Sequence, residues 1–410
     1  MDNLIKVLYI SYDGMTDPLG QSQVIPYMEG LSKFGFEIHL LSCEKPERFE
    51  IGFVQIDEKL KQSNIHWHPI PYTSSPPVFS TLKDISKLKK EALKLHKEQQ
   101  FRLVHCRSYI AAFVGLYLKK KENVPFIFDM RGFWADERVD GKIWNLRNPV
   151  FYFIYKYFKK KEKEFLLQAG HVVTLTENAR KELQENFGLK AIPEISVIPC
   201  CVDNELFSRD NISVEKAAEL REALNIKASD FIISYSGSIG TWYMLDEMLD
   251  FFVTLQKLKP ESKFLFITPD NPEIINSLCK LKNITPDKVI ICKASRLEMP
   301  LYLSLSNISL FFIKPAYSKR ASSPTKMGEL MSMGIPFISN SGVGDIDSLV
   351  EENEVGILIR NQTEADYIEV IKMIPDLLKK NSETFQRIAK TKYSLETGVA
   401  AYQQIYNKLK

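Results

Sequence analysis

Cysteine is scarce in this chain and badly spaced for cross-linking. Six cysteines, Cys43, Cys106, Cys200, Cys201, Cys279 and Cys292, are spread over 410 residues, and none forms a CxxC pair. The adjacent Cys200 and Cys201 suit neither an ordinary disulfide nor a tetrahedral zinc site. All six read as reduced thiols in a reducing compartment. Long apolar runs are missing too: none approaches the ~20 residues of a membrane span. Residues 1–6 enter a strand-like run at once and lack the charged and apolar regions of a secretory signal. Nor is there an excess of one charge. With 54 basic and 51 acidic residues the net charge is +3, which argues against nucleic acid as a partner. No GxGxxG follows an apolar strand, which disfavours a dehydrogenase. The expected location is cytoplasmic.

What remains is ordinary globular material, 45% hydrophobic and 26% charged, long enough for two domains with large cores. Short apolar runs alternate with amphipathic stretches along its whole length. Residues 7–10 read as a strand, followed by a loop rich in Asp, Gly and Pro through Gly20. Val24, Tyr27, Met28 and Leu31 then recur at helical spacing up to Gly35. Residues 37–41 form a second strand and complete a βαβ unit. Further strands are expected at 103–105, 125–128, 171–175 and 195–199, with helices at about 82–99 and 149–167. The pattern restarts near residue 230, with strands at 231–235, 263–268, 288–292, 308–313 and 336–339. The fold class is therefore α/β, with parallel sheets in two doubly wound, Rossmann-like domains. Ligands of such sheets bind beyond the carboxyl ends of the strands.

Four segments fall at strand-to-helix transitions. The sharpest spans residues 322–334. Ser323 reads as an N-cap, Pro324 as the first helical residue and Gly334 as the stop. Lys326 and Glu329, three apart, share a face near the helix start. Free N–H groups of Ser323, Pro324's successor Thr325 and Lys326, together with the Lys326 ammonium, suit an anion, and Glu329 suits a ribose diol. That is a nucleotide-diphosphate site in outline; a capped surface helix with a Lys/Glu pair is the plain alternative. Gly237-Ser238-Ile239-Gly240 allows close backbone approach to a phosphate, although two glycines in a βα turn are common. Asp129, Arg131, Trp134, Asp136 and Glu137 crowd the loop after the strand at 125–128, as catalytic groups do or as a pinned loop does. Asp17 to Gln23, with Gly20 and Gln21, is the fourth.

On these residues the sequence resembles the family-4 glycosyltransferases, whose fold is GT-B, two Rossmann-like domains facing a central cleft. Residues 197–203 are similar to that family's IPNGVD linker, with Cys200 and Cys201 replacing Asn and Gly. Gly20, Gly237, the helix before Gly334 with the strand after it, Gly342 to Asp345 and a closing helix at 393–409 match further family features. The resemblance implies a first domain of residues 1–200, joined by a C-terminal crossover helix at 392–410, that binds the acceptor. It implies a second domain of residues 201–391 that binds the nucleotide sugar. It further implies a retaining hexosyl transfer to a saccharide or lipid-linked acceptor without cofactor or metal ion, in cell-surface polysaccharide or glycoconjugate synthesis. Glu329 matches the second glutamate of the family's E-x7-E motif. The first falls at Ala321, the usual Arg and Lys after Gly237 at Ser238 and Tyr243, and the usual His at Arg131.

The expected catalytic residues are Asp129, Arg131 and Lys326. Donor binding is expected from Gly20, Gly237, Ser238, Arg320, Ser323, Pro324, Thr325, Lys326 and Glu329. Acceptor binding is expected from Asp17, Gln21, Trp134 and Glu137. Lysines at 83, 87, 89, 90, 94 and 97, and the run Tyr155 to Lys161, suit peripheral contact with an anionic membrane surface or a solvated face. Two rival functions are a nucleotide-sugar epimerase of the same shape and a non-catalytic nucleotide-sugar-binding partner.

Overall fold

The computed structural model describes residues 4–76, 78–187 and 193–410. The chain divides into two compact units, residues 1–199 with 395–410, and residues 200–394.

The first unit is built on strands β1 (Ile5–Ser11), β2 (Phe36–Glu44), β3 (Ile65–Pro71), β4 (Leu103–Arg107), β5 (Phe126–Asp129), β6 (His171–Thr174) and β7 (Ile195–Val197). They form one sheet in the order β3-β2-β1-β4-β5-β6-β7, and every pairing is parallel. Helices cover both faces, so central strands are continuous apolar runs rather than alternating ones: Val7, Leu8, Tyr9 and Ile10 are all buried. The order reverses between β1 and β4, which makes their carboxyl ends the crevice of this sheet. The loop expected to last through Gly20 is already helical at Pro18–Gln23, continuing into Ile25–Ser32. Proline opens each piece, since its fixed φ and missing N–H cost nothing in a first turn. Gly35, at φ +82°, ends the pair.

The closing helix Leu395–Leu409 places Gly398, Val399, Tyr402, Ile405 and Tyr406 on one buried stripe. It packs on Ile25–Ser32, where Val399 fills the space a side chain at Gly30 would need. Tyr406 meets Phe36 edge-on at 5.1 Å.

The second unit carries β8 (Phe231–Ser236), β9 (Ser262–Ile267), β10 (Val289–Cys292), β11 (Ile308–Phe311), β12 (Phe337–Asn340) and β13 (Gly356–Ile359), ordered β10-β9-β8-β11-β12-β13. Its pairings are likewise parallel. Here the order reverses between β8 and β11. The segments that enter and leave this unit run side by side: the Val202 N–H donates to the Tyr393 carbonyl at 2.7 Å. Both sheets thus bear out the α/β, doubly wound reading. Periodicity did not mark β3 or β13, an edge strand of each sheet.

Gly20 has a packing reason to be glycine. A methyl there would lie 2.2 Å from the Gly14 carbonyl oxygen and 2.7 Å from the Met15 Cα. Both are backbone atoms and cannot swing aside. Gly20→Ala is therefore expected to lose ~1–3 kcal/mol of stability despite the better helix propensity of alanine. Urea unfolding measures it, and an unchanged midpoint would remove the close-approach explanation.

Candidate functional site

In the second unit the crevice between β8 and β11 is lined by the loop after β8 and by the helix Thr325–Ser332. The chain leaves β8 through Gly237 at φ +109°, a backbone geometry that a side chain would strain. Asp270 pins the turn: its carboxylate accepts from the Ser238 hydroxyl at 2.8 Å and from the Ile239 N–H at 2.6 Å. The Tyr235 hydroxyl donates to the Ser238 carbonyl. Ser238 is thus already held by Asp270, and its place in the site is to shape the loop.

Lys326 is the chemical centre. It is 7% exposed, and its Nζ has no hydrogen-bond partner among the described residues. The ammonium sits 4.0 Å from the centre of the Tyr235 ring and 3.8 Å from that of Tyr243. A methyl on Gly237 would come within 3.4 Å of it, so the missing side chain keeps the space above the charge open. Burial holds the Lys326 ammonium well below the ordinary lysine range, with Glu329 pulling the other way. The aromatic faces return part of the lost hydration, but they are no substitute for an anion. Burial likewise pushes the Glu329 carboxyl up, opposed by Arg296 and by Lys326. Arg296 Nη1 donates to Glu329 Oε1 at 3.1 Å while its guanidinium lies over Phe207 at 5.2 Å.

The start of this helix differs from the expectation. It begins at Thr325, with Pro324 in the cap position and no side-chain cap. Ser323 does not cap it, because its hydroxyl oxygen accepts from the Cys200 N–H at 3.2 Å. The first-turn N–H groups are left without a side-chain acceptor, the condition in which a helix start receives an anion. Gly334, at φ +67°, stops the helix as read. Of the preceding basic pair, Lys319 is buried with its Nζ 3.6 Å from the centre of Trp242. Arg320 is exposed beside Tyr317. The Lys319 carbonyl accepts from the Gly344 N–H at 2.8 Å, bringing the turn at 342–345 alongside. Ala321 is buried and brings no charge.

In the first unit several of the polar groups beyond the strands pair with one another. Asp17, expected to contact an acceptor, has one oxygen on Lys45 and the other on Arg48, each at 2.8 Å. It anchors the loop instead. Glu44, which the sequence did not single out, accepts from the N–H groups of Met15 and Thr16 and from the Thr16 and Ser42 hydroxyls. Gln21 reaches the Thr16 carbonyl at 3.2 Å.

Asp129 is 1% exposed. It accepts from the Tyr402 hydroxyl at 3.0 Å and faces His105 Nε2 at 3.4 Å. The other nitrogen of His105 meets the Tyr406 hydroxyl at 2.8 Å. Burial alone would push Asp129 up, but Arg131, His105 and Arg107 outweigh it and its pKa is lowered. Its Oδ2 is enclosed by Tyr402 and His105, while Oδ1 has no hydrogen-bond partner among the described residues. Arg131 stands 3.9 Å from Asp129 and 3.5 Å from Gln23 Oε1, at φ +57°. A non-glycine residue held there at a strand's carboxyl end is strained, a mark found at functional loops. Arg107, unread in the sequence, is 4% exposed at the end of β4 and 3.6 Å from Asp13.

Trp134 is half-buried in an aromatic cluster, 4.8 Å from Phe158 and 5.4 Å from Trp144, with Arg138 stacked on it. Glu137 is half-buried on the same short helix, Trp134–Asp140. Asp136 is bound by Tyr155 and Lys159, both at 2.8 Å.

Two doubly wound parallel sheets, each with a crevice at its carboxyl ends, are the elements of the GT-B fold. Solved structures agree on that fold. Sucrose-phosphate synthase from Thermosynechococcus elongatus is 16% identical with a TM-score of 0.75, covering 99% of each chain. Anabaena HepE in complex with UDP and glucose is 12% identical with a TM-score of 0.71, covering 98% of this chain and 100% of that one. UDP-GlcNAc 2-epimerase from Neisseria meningitidis bound to UDP-GlcNAc follows at 15% and 0.60, covering 98% and 100%. In sequence, residues 23–206 match the family model described as Glycosyltransferase Family 4, which bears out the resemblance read above. No curated protein matches the chain.

Because Lys326 is buried without a partner, Lys326→Met should stabilise the free protein by ~1–3 kcal/mol by removing an unsatisfied polar group. Chemical denaturation of the two forms checks this; a destabilised methionine variant would mean that the ammonium has a partner in the free protein.

Proposed function

We propose that the protein is a retaining hexosyltransferase. It takes a sugar from a nucleotide-diphosphate donor to a saccharide or lipid-linked acceptor in cell-surface polysaccharide or glycoconjugate synthesis. The observation that supports it is the unpartnered Lys326 ammonium beneath Gly237 at an uncapped helix start. In this reading the diphosphate lies over Gly237 and the first turn, in reach of Ser323, Thr325 and Arg320, and Glu329 accepts from the ribose hydroxyls with Arg296 holding it in place. When the anomeric carbon–oxygen bond breaks, its electron pair goes to the leaving diphosphate. The acceptor hydroxyl oxygen forms the new bond to that carbon, and its proton passes to a phosphate oxygen. Lys326 and the N–H groups stabilise the growing charge, which removes the need for a metal ion. Arg131, positioned by Asp129, orients acceptor groups in the first unit together with Gln21, Trp134 and Glu137. The complexes of HepE with UDP and glucose and of the epimerase with UDP-GlcNAc support a nucleotide-sugar partner. The epimerase likeness also keeps a second reading in play, in which donor alone is turned over.

The diphosphate supplies the counter-charge that Lys326 lacks, so binding raises its pKa and takes up a proton. Affinity should therefore fall as pH rises from the lowered value of the free protein towards the raised value of the complex. Calorimetry of uridine, guanosine, cytidine and thymidine diphosphates and their sugars, with EDTA and across pH, tests this. One nucleotide should bind regardless of EDTA, and Lys326→Ala should lose on the order of 10²–10³ in transfer rate. Binding that strengthens with pH, or near-normal turnover by Lys326→Ala, would overturn the assignment. Epimerised sugar released from donor alone would favour the second reading.

The lipid-linked acceptor is supported by the helix Pro149–Gln168. Val150 and Phe153 are 62% and 70% exposed, and Lys156, Lys160 and Lys163 are exposed with them. Among the described residues no helix is long and apolar enough to cross a membrane, so the proposed contact is peripheral, at the cytoplasmic face. Phe153→Ser with Lys156→Glu should weaken cosedimentation with anionic vesicles at low salt; no sedimentation of the unaltered protein would end this proposal.

A further inference from the structure

Glu37-Ile38-His39 and His66-Trp67-His68 are two short alternating patterns on neighbouring strands. Residues two apart on a strand point to one face, and the parallel register sets His39 opposite His66. Glu37, His39, His66 and His68 therefore meet on one face at the open edge of the first sheet, near the amino ends of β2 and β3. That end lies away along the strands from the carboxyl-end loops of this sheet, where Asp17, Gln21 and Arg131 stand.

We propose that Glu37, His39 and His66 bind a divalent transition-metal ion, zinc by the chemistry of the donors. Glu37 Oε1 lies 3.2 Å from His39 Nε2 and 3.6 Å from His66 Nε2. The three ligand atoms all fall within 4.8 Å of one another. Ligands about 2.0–2.1 Å from a tetrahedral zinc are separated by about 3.4 Å, so little movement is needed. Two imidazoles with one carboxylate favour zinc or a neighbouring first-row ion over magnesium or calcium.

The ring nitrogen of His39 turned away from Glu37, Nδ1, is 3.0 Å from His68 Nε2. A metal-binding imidazole is usually held from behind in this way. His66 has 53% of its side chain exposed, which gives the ion a path in and leaves its fourth position to water. Lys6 is the rival cation, 3.7 Å from Glu37, but its ammonium is also held by Gln99 at 2.7 Å. Joining β2 to β3, the ion would brace an edge strand and play no part in transfer.

The test is calorimetric titration of the EDTA-stripped, desalted full chain with zinc chloride, paralleled by cobalt(II) absorption to report coordination. The unaltered chain should take up one equivalent, with an intense tetrahedral cobalt spectrum. His66→Ala and Glu37→Gln should abolish both, and His68→Phe should weaken zinc by roughly 10–100-fold. His66 is exposed, so its variant is expected to fold and to keep the nucleotide-induced thermal shift of the parent. Equal zinc uptake by His66→Ala or Glu37→Gln, or no uptake by the unaltered chain, would overturn the proposal.

Discussion

A buried ammonium without a counter-ion is the constraint around which the second unit is arranged. Lys326 has lost its water and gained two tyrosine faces in exchange. The loss of hydration is visible in its depressed proton affinity, which Glu329 only partly opposes. Every neighbour acts to keep the remaining deficit unfilled by protein: Gly237 withholds a side chain, Asp270 ties the turn back, and the helix start goes uncapped. Glu329 is close enough to feel the charge but is drawn to Arg296. Stability has been given up locally at a place where the proposed diphosphate would restore it, the general pattern of a preorganised binding site.

In the first unit several loop charges meet one another, although Arg107 Nη1 and Asp129 Oδ1 have no hydrogen-bond partner among the described residues. Glu44 collects four donors, Asp17 two cations, and Asp129 a tyrosine and a histidine. Low dielectric makes each such network stiff when it is complete. Arg131 is held at positive φ just past β5. The C-terminal helix takes part in one such network directly, since Tyr402 and Tyr406 arrive from some 270 to 300 residues away in sequence to close the cluster around Asp129 and His105.

Most of the fold was legible because central parallel strands are apolar on both faces and so appear as uninterrupted runs. The exceptions were edges. β3 reads Ile-His-Trp-His-Pro-Ile-Pro, with two prolines that only an edge tolerates. β13 is four residues long. The helix start was misplaced by a residue or two because the Ser323 hydroxyl has a more distant claimant, the Cys200 N–H, that no local motif reveals.

Local sequence determined which groups stand at the carboxyl ends of the strands, because the hydrophobic period and the glycine and proline stops are short-range properties. Lys326, Glu329, Gly237 and Arg131 were therefore found by reading alone. What each of them is able to do was decided by tertiary structure. Whether a charge is spent or available depends on partners far away in the chain: Arg48 for Asp17, Tyr402 for Asp129, Arg296 for Glu329. That Lys326 has no such hydrogen-bond partner among the described residues is likewise a matter of three-dimensional packing, since desolvation and hydrogen bonding act through space and not along the backbone.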